Sequence, residues 1–192
     1  MILILHHRPA RRLPRLAALL LSWGLYGVQH LDAQPSKPTE YQVKAAYLSN
    51  FGRFVERRSR VATPGDESFN VCVLGQDPFG PALDAALAGE TIDRAPLEAK
   101  RIAQPQDTGN CRILFISSSE SNELRTILTT LDKASILTVS DIPQFAKRGG
   151  MIQFVLTGNR VRFEINLDAV QRAGLNLSSE LLKLATAVRR AP

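Results

Sequence analysis

Met151–Asn166, MIQFVLTGNRVRFEIN, holds two strands and the turn between them. Met151 to Leu156 is an almost unbroken apolar run, the pattern of a strand covered on both faces. Thr157-Gly158-Asn159 is turn chemistry, because glycine and asparagine accept the backbone angles of a tight hairpin. From Arg160 the period becomes two. Val161, Phe163 and Ile165 point one way, and Arg160, Arg162, Glu164 and Asn166 the other. The result is a hairpin with a polar row on one face of its second strand. Upstream, Asp141 is placed to cap a short helix with Gln144 as its capping-box partner, and Gly149-Gly150 to stop it. Downstream, Asn166 can cap a short helix that Gly174 ends, and Ser178 can cap the last one.

The preceding chain alternates strands with helices. Thr39, with Gln42 as capping-box partner, opens a helix whose apolar face is Val43, Tyr47, Phe51, Phe54 and Val55. Arg57, Arg58 and Arg60 then suit the dipole at its C-terminal end. Strands follow at Phe69–Gly75, within Leu97–Ile102, at Cys111–Ser117 and at Ile136–Val139. Between the first two, Asp77-Pro78 starts a helix with the stripe Phe79, Leu83 and Leu87. A strand running into a helix can hold an anion. Here Asp77 puts a carboxylate where a phosphate would sit, so the junction is read as structural. Ser118 or Ser119 caps a helix with the stripe Leu124, Ile127, Leu128 and Leu131. The last helix is expected to bury Leu181, Leu184, Ala185 and Val188 and to end on Arg189 and Arg190. This pattern predicts a single α/β domain: a mostly parallel, mixed sheet with helices on both faces, a Rossmann-like three-layer sandwich. The four parallel strands are expected in the order 2-1-3-4, which makes the two cysteine-bearing strands neighbours.

Composition narrows the function. Residues 1–33 have the layout of a secretory signal: a basic start at Arg8, Arg11, Arg12 and Arg15, an apolar run of 13 residues from Leu16 to Val28, and Ala33 for cleavage. That run is short of the ~20 residues that span a bilayer, so no membrane insertion is expected after cleavage. Residues 34–38 read as a flexible lead-in and 39–192 as the domain. The chain has 24 basic and 18 acidic residues; without the leader 20 and 17 remain, a net +3 that does not argue for nucleic acid. The leader also holds all three histidines, His6, His7 and His30. The remainder therefore has no serine or cysteine triad and no histidine-ligated zinc site. No catalytic residue, metal or cofactor is expected. Cys72 and Cys111 remain; an even count in an exported chain favours a disulfide, the alternative being two buried thiols.

Four blocks then carry a family resemblance: YQVKAAYLSNFGRFVE from Tyr41, VCVLGQDPFG from Val71, CRILFISSSE from Cys111, and GGMIQFVLTGNRVRFEINLDAVQRAGLNLSSELLKLA from Gly149. In this order they resemble the YfiR family of periplasmic proteins over about 150 residues. The resemblance implies a regulator that inhibits a membrane-bound diguanylate cyclase of the YfiN type. It would dock on the cyclase's periplasmic sensor region and lower cyclic-di-GMP. An accessory role for another membrane partner, a sensor kinase or an outer-membrane receptor, is the alternative, and homodimer formation stays open. The resemblance also implies activity tuned through disulfide state; some relatives carry a second cysteine pair, which this chain lacks, so such control would rest on one bridge or not operate. For the docking surface the residues suggest the polar row, Arg162 and Glu164, beside apolar anchors at Val170 and Leu175. In the competing assignment Val170 and Leu175 are core and Glu164 pairs with Arg162 across solvent.

Overall fold

A capping box at Thr39 starts the first helix: its hydroxyl accepts from the Gln42 N–H while the Gln42 side chain accepts from the Thr39 N–H. Helix α1, Glu40–Phe51, passes through a short 3₁₀ turn into strand β1, Val55–Arg57. The computed structural model describes residues 37–57, 68–132 and 134–190, which belong to one compact unit. The leader reading, cleavage after Ala33, and Arg58 and Arg60 lie outside the described residues. Then come β2 Phe69–Leu74, α2 Pro81–Leu87, β3 Thr91–Ile92, β4 Ala95–Ile102, β5 Cys111–Ile116, α3 Leu124–Thr130 and β6 Leu137–Ser140. The hairpin β7 Ile152–Thr157 and β8 Arg160–Asn166 leads to α4 Leu167–Arg172, β9 Leu175–Leu177, α5 Ser179–Leu184 and β10 Ala187–Arg189.

Eight strands form one sheet in the order β10-β8-β7-β6-β5-β2-β4-β3. The run β4-β2-β5-β6-β7 is parallel, and the order of its first four strands is the one the sequence predicts. The β7–β8 pair is antiparallel and β8–β10 parallel, so the sheet is mixed. A separate ribbon pairs β1 with β9. Strand period explains the two cores. Val71 and Val73, with Ile113 and Phe115, face α1 and α2; Cys72 and Leu74, with Leu114 and Ile116, face α3. Every one of these is buried, which accounts for the near-continuous apolar strands.

Several local expectations are corrected. The α2 helix starts at Pro81 after Gly80, because the Asp77 carboxylate accepts from the Phe79 N–H in a tight turn instead of capping a helix. Residues 141–149 make turns, not a helix. Gln144 sits at φ +62°, which breaks the capping box, and Ser140, not Asp141, accepts from the Ile142 N–H. The far end of β7 is not covered on both faces, for Leu156 is 57% exposed. The α5 helix ends at Leu184. Of its expected face only Leu181 is fully buried; Leu184 is exposed, and Val188 lies in β10 with Arg189. Arg57 belongs to β1, not to a helix terminus.

Candidate functional site

The polar row of β8 is present, but its neighbours are not those the sequence suggested. Arg162 is exposed, while Glu164 is half-buried and accepts from the Arg189 guanidinium at 2.9 Å. The partner of Glu164 is thus on β10, a strand the sequence did not reveal, rather than Arg162. Asn166 has left the row, accepting from the Ala169 N–H as the α4 cap and donating to the Ala146 carbonyl. Val170 is 0% exposed and Leu175 1%. Both belong to the core under α4 and β9, so neither is a surface anchor. The reason is local: Leu175 begins a strand that pairs with Arg57, and Val170 lies on the inward side of a one-and-a-half-turn helix.

Cys72 and Cys111 are joined, with their α-carbons 5.8 Å apart. In an unbroken ladder Cys72 pairs with Leu114, and Cys111 would face the opposite side of the sheet. The register shifts between Asn70 and Val71, so that Asn70 pairs with Cys111 and Val71 with Ile113; Arg112 is the extra residue. That bulge turns Cys111 onto the face of Cys72.

A buried polar cluster lies elsewhere, at the carboxyl ends of the parallel strands, and sequence reasoning missed it. Lys44 of α1 is 2% exposed. Its ammonium contacts Asp141, just beyond β6, at 2.6 Å and Glu40 at 2.5 Å, and it lies 4.3 Å from the centre of the Tyr41 ring. The Tyr41 hydroxyl donates to the same Asp141 oxygen at 3.0 Å. Its pKa is pushed up to about 12, first by burial and then by the Asp141 carboxylate. The second carboxylate oxygen of Asp141, Oδ1, is enclosed and has no donor among the described residues. Beside this cluster is a cleft of about 460 Å³ lined by Glu40, Lys44, Ser118, Asp141, Pro143 and Gln153–Leu156. The Glu40/Lys44 spacing was visible in sequence as an ordinary helical i,i+4 pair; Asp141, 97 residues away, was not.

A second charged group sits at the same end of the sheet. Arg101, ending β4, is held by Asp77 at 2.9 Å and by both oxygens of Asp84. The hydrogen-bonded guanidinium keeps the Asp84 carboxyl below the usual carboxylate range. All three side chains are occupied by each other, which closes the strand–helix junction the sequence had considered for an anion. Among the described residues no helix is long and apolar enough to cross a membrane.

Residues 41–186 match the model of the YfiR/HmsC-like family. Among solved structures, the chain is similar to a conserved domain protein of Vibrio cholerae O1 biovar El Tor, at 10% identity and a TM-score of 0.54, over 80% of this chain and 62% of that one. It is also similar to an ABC domain of Streptococcus pneumoniae in complex with L-Trp, at 10% identity and a TM-score of 0.51, over 76% and 60%. The chain thus spans about three fifths of the length of each, and at this identity the likeness concerns the fold alone.

Proposed function

Because the chain belongs to the YfiR/HmsC-like family, whose members are periplasmic regulators of diguanylate cyclase signalling and not catalysts, we propose that it inhibits a membrane-bound cyclase by docking on the cyclase's periplasmic region. Family membership over residues 41–186 carries this reading. Export through the leader, with cleavage after Ala33, places the domain on the correct side of the inner membrane. The domain acts by binding, so its output depends on surface shape and charge. The face that supports this role is the outer side of β7, β8 and β10: Val155, Arg162, Glu164 and Arg189 are all exposed or half-buried there. A paired carboxylate and guanidinium beside an exposed arginine is a surface that fixes register and rejects wrong partners more than it adds raw affinity.

The test uses Glu164→Lys and Arg162→Glu in protein whose thermal midpoint is kept. Arg162 is exposed, so Arg162→Glu should change stability little; Glu164→Lys sets a cation against Arg189, so only protein that keeps its midpoint is compared. Pull-down of the cyclase's periplasmic region should weaken at least tenfold with either variant. Two stable variants that bind like wild type would remove this face from the interface.

A further inference from the structure

The eight-stranded sheet has blunt outer edges and an open notch inside. Its outermost strands, β3 and β10, have two and three residues, the usual way of denying an edge to another chain. The notch is different. β7 pairs with β6 at only two positions, Val139 with Ile152 and Ser140 with Gln153. The β6 chain then turns away at Asp141, while β7 runs on to Thr157 with β8 as its one strand partner among the described residues. Phe154–Thr157 therefore has an edge that no described strand covers, about 13 Å long at ~3.3 Å per residue.

The hairpin fixes which groups lie on that edge. Thr157 pairs with Arg160 across a two-residue turn, with Gly158 at φ +54° and Asn159 at +61°. Hydrogen-bonded and non-bonded pairs alternate from there, so Val155 and Gln153 turn their backbone groups to β8. The Asn166 N–H donating to the Met151 carbonyl at 2.7 Å fixes the same phase. Phe154 and Leu156 consequently turn theirs away from β8, toward the cleft. The lining agrees. Phe154 and Leu156 line the cleft from one face of β7, Gln153 and Val155 from the other, so it lies in the plane of the sheet, where a further strand would run.

We propose that this notch takes an extended peptide segment carrying a lysine or arginine, added as a strand to the free edge of β7. Backbone pairing to Leu156 and Phe154 supplies the register, and the exposed Leu156 and Pro143 flank the inserted side chains. The charge of the occupant follows from the walls. Among the described lining residues Glu40 and Asp141 face one cation, Lys44, which leaves one negative charge in excess. A cationic side chain beside Glu40, the more open of the two carboxylates, neutralises it. The location is the crevice outside the carboxyl ends of parallel strands, where open α/β sheets bind ligands. The proposal draws on the regulatory reading only in taking the occupant to be a protein segment, and the test is independent of any cyclase.

The probe is the peptide acetyl-Thr-Val-Lys-Val-Thr-amide, added to ¹⁵N-labelled protein and followed by amide shifts. Shifts confined to Ser118, Asp141–Gln144 and Phe154–Thr157, with a dissociation constant below about 1 mM, are expected. Two versions N-methylated on alternate backbone nitrogens distinguish strand addition from simple cation binding. One set of nitrogens faces β7, so one version should lose binding and the other keep it. The Lys-to-Glu peptide should bind at least tenfold more weakly. Leu156→Pro removes an edge N–H that β8 does not use, and should abolish binding while far-UV dichroism is unchanged; Glu40→Gln, on the surface, should weaken it several-fold. No shifts up to millimolar peptide, shifts away from the notch, or equal binding of both N-methylated peptides would overturn the proposal.

Discussion

A lysine enclosed as fully as Lys44 has to be neutralised, and two carboxylates do it, Asp141 from inside and Glu40 from the rim. Breaking an enclosed pair by removing one partner is far more costly than replacing both. Lys44→Met alone should therefore lower unfolding stability by about 3–5 kcal/mol, because it leaves Asp141 with no cation. The double variant Lys44→Met, Asp141→Leu should recover most of that in urea denaturation; a double-variant loss equal to the sum of the Lys44→Met and Asp141→Leu losses would mean the pair is not coupled. Tyr41 gives a pH test. Its folded pKa, about 12, is above its ordinary value, so its contribution is complete below pH 10 and disappears as the pH rises toward 12. Phenolate absorbance at 295 nm should show Tyr41 ionising only near pH 12, and Tyr41→Phe should flatten that part of the stability profile. At this scale the sequence was a poor guide. It did not single out Lys44, since nothing local indicates a partner arriving from the end of β6.

Elements were legible where period and caps agreed. Thr39, Asn166 and Ser178 each cap the helix they were expected to, and the hairpin turns where glycine and asparagine permit positive φ. Reading failed where tertiary pairing overruled a local pattern. Val188 fits a helical stripe with Leu181, but β8 offers an open edge, and the chain takes it as β10. Gly150 shows a different kind of miss. Gly149 has the positive φ that ends a turn, +106°, whereas Gly150 is required by the Phe145 ring, which a Cβ would meet at 2.1 Å. Gly150→Ala should cost about 1–3 kcal/mol through overpacking, measured by thermal denaturation. Leu184→Gln, on the exposed end of α5, should change stability by less than about 0.5 kcal/mol. A large loss at Leu184 would mean that α5 packs more deeply than its exposure implies.

For the whole molecule, the sheet order and its central disulfide were readable because apolar strands alternating with helices leave few topologies. What could not be read was the bulge at Arg112, on which the facing of Cys111 depends. The bridge closes a separation of 39 residues between adjacent central strands, so Cys72→Ala with Cys111→Ala should cost about 4 kcal/mol on the chain-entropy model. With no second cysteine pair, thiol labelling under denaturing, non-reducing conditions should find no free thiol, and two labelled thiols would refute the bridge. The polar face of β8 and the notch beside β7 lie on a domain held by that bridge and by two cores, and neither surface requires catalysis to act. The central claim is that this domain restrains a diguanylate cyclase from the periplasm. It is tested most directly by cellular cyclic-di-GMP in four strains: wild type, deletion, deletion complemented with the full chain, and deletion complemented with the chain lacking residues 1–33. The account predicts a rise on deletion that the exported full chain reverses and the leaderless chain does not. Unchanged cyclic-di-GMP on deletion, or full rescue by the leaderless chain, would contradict it.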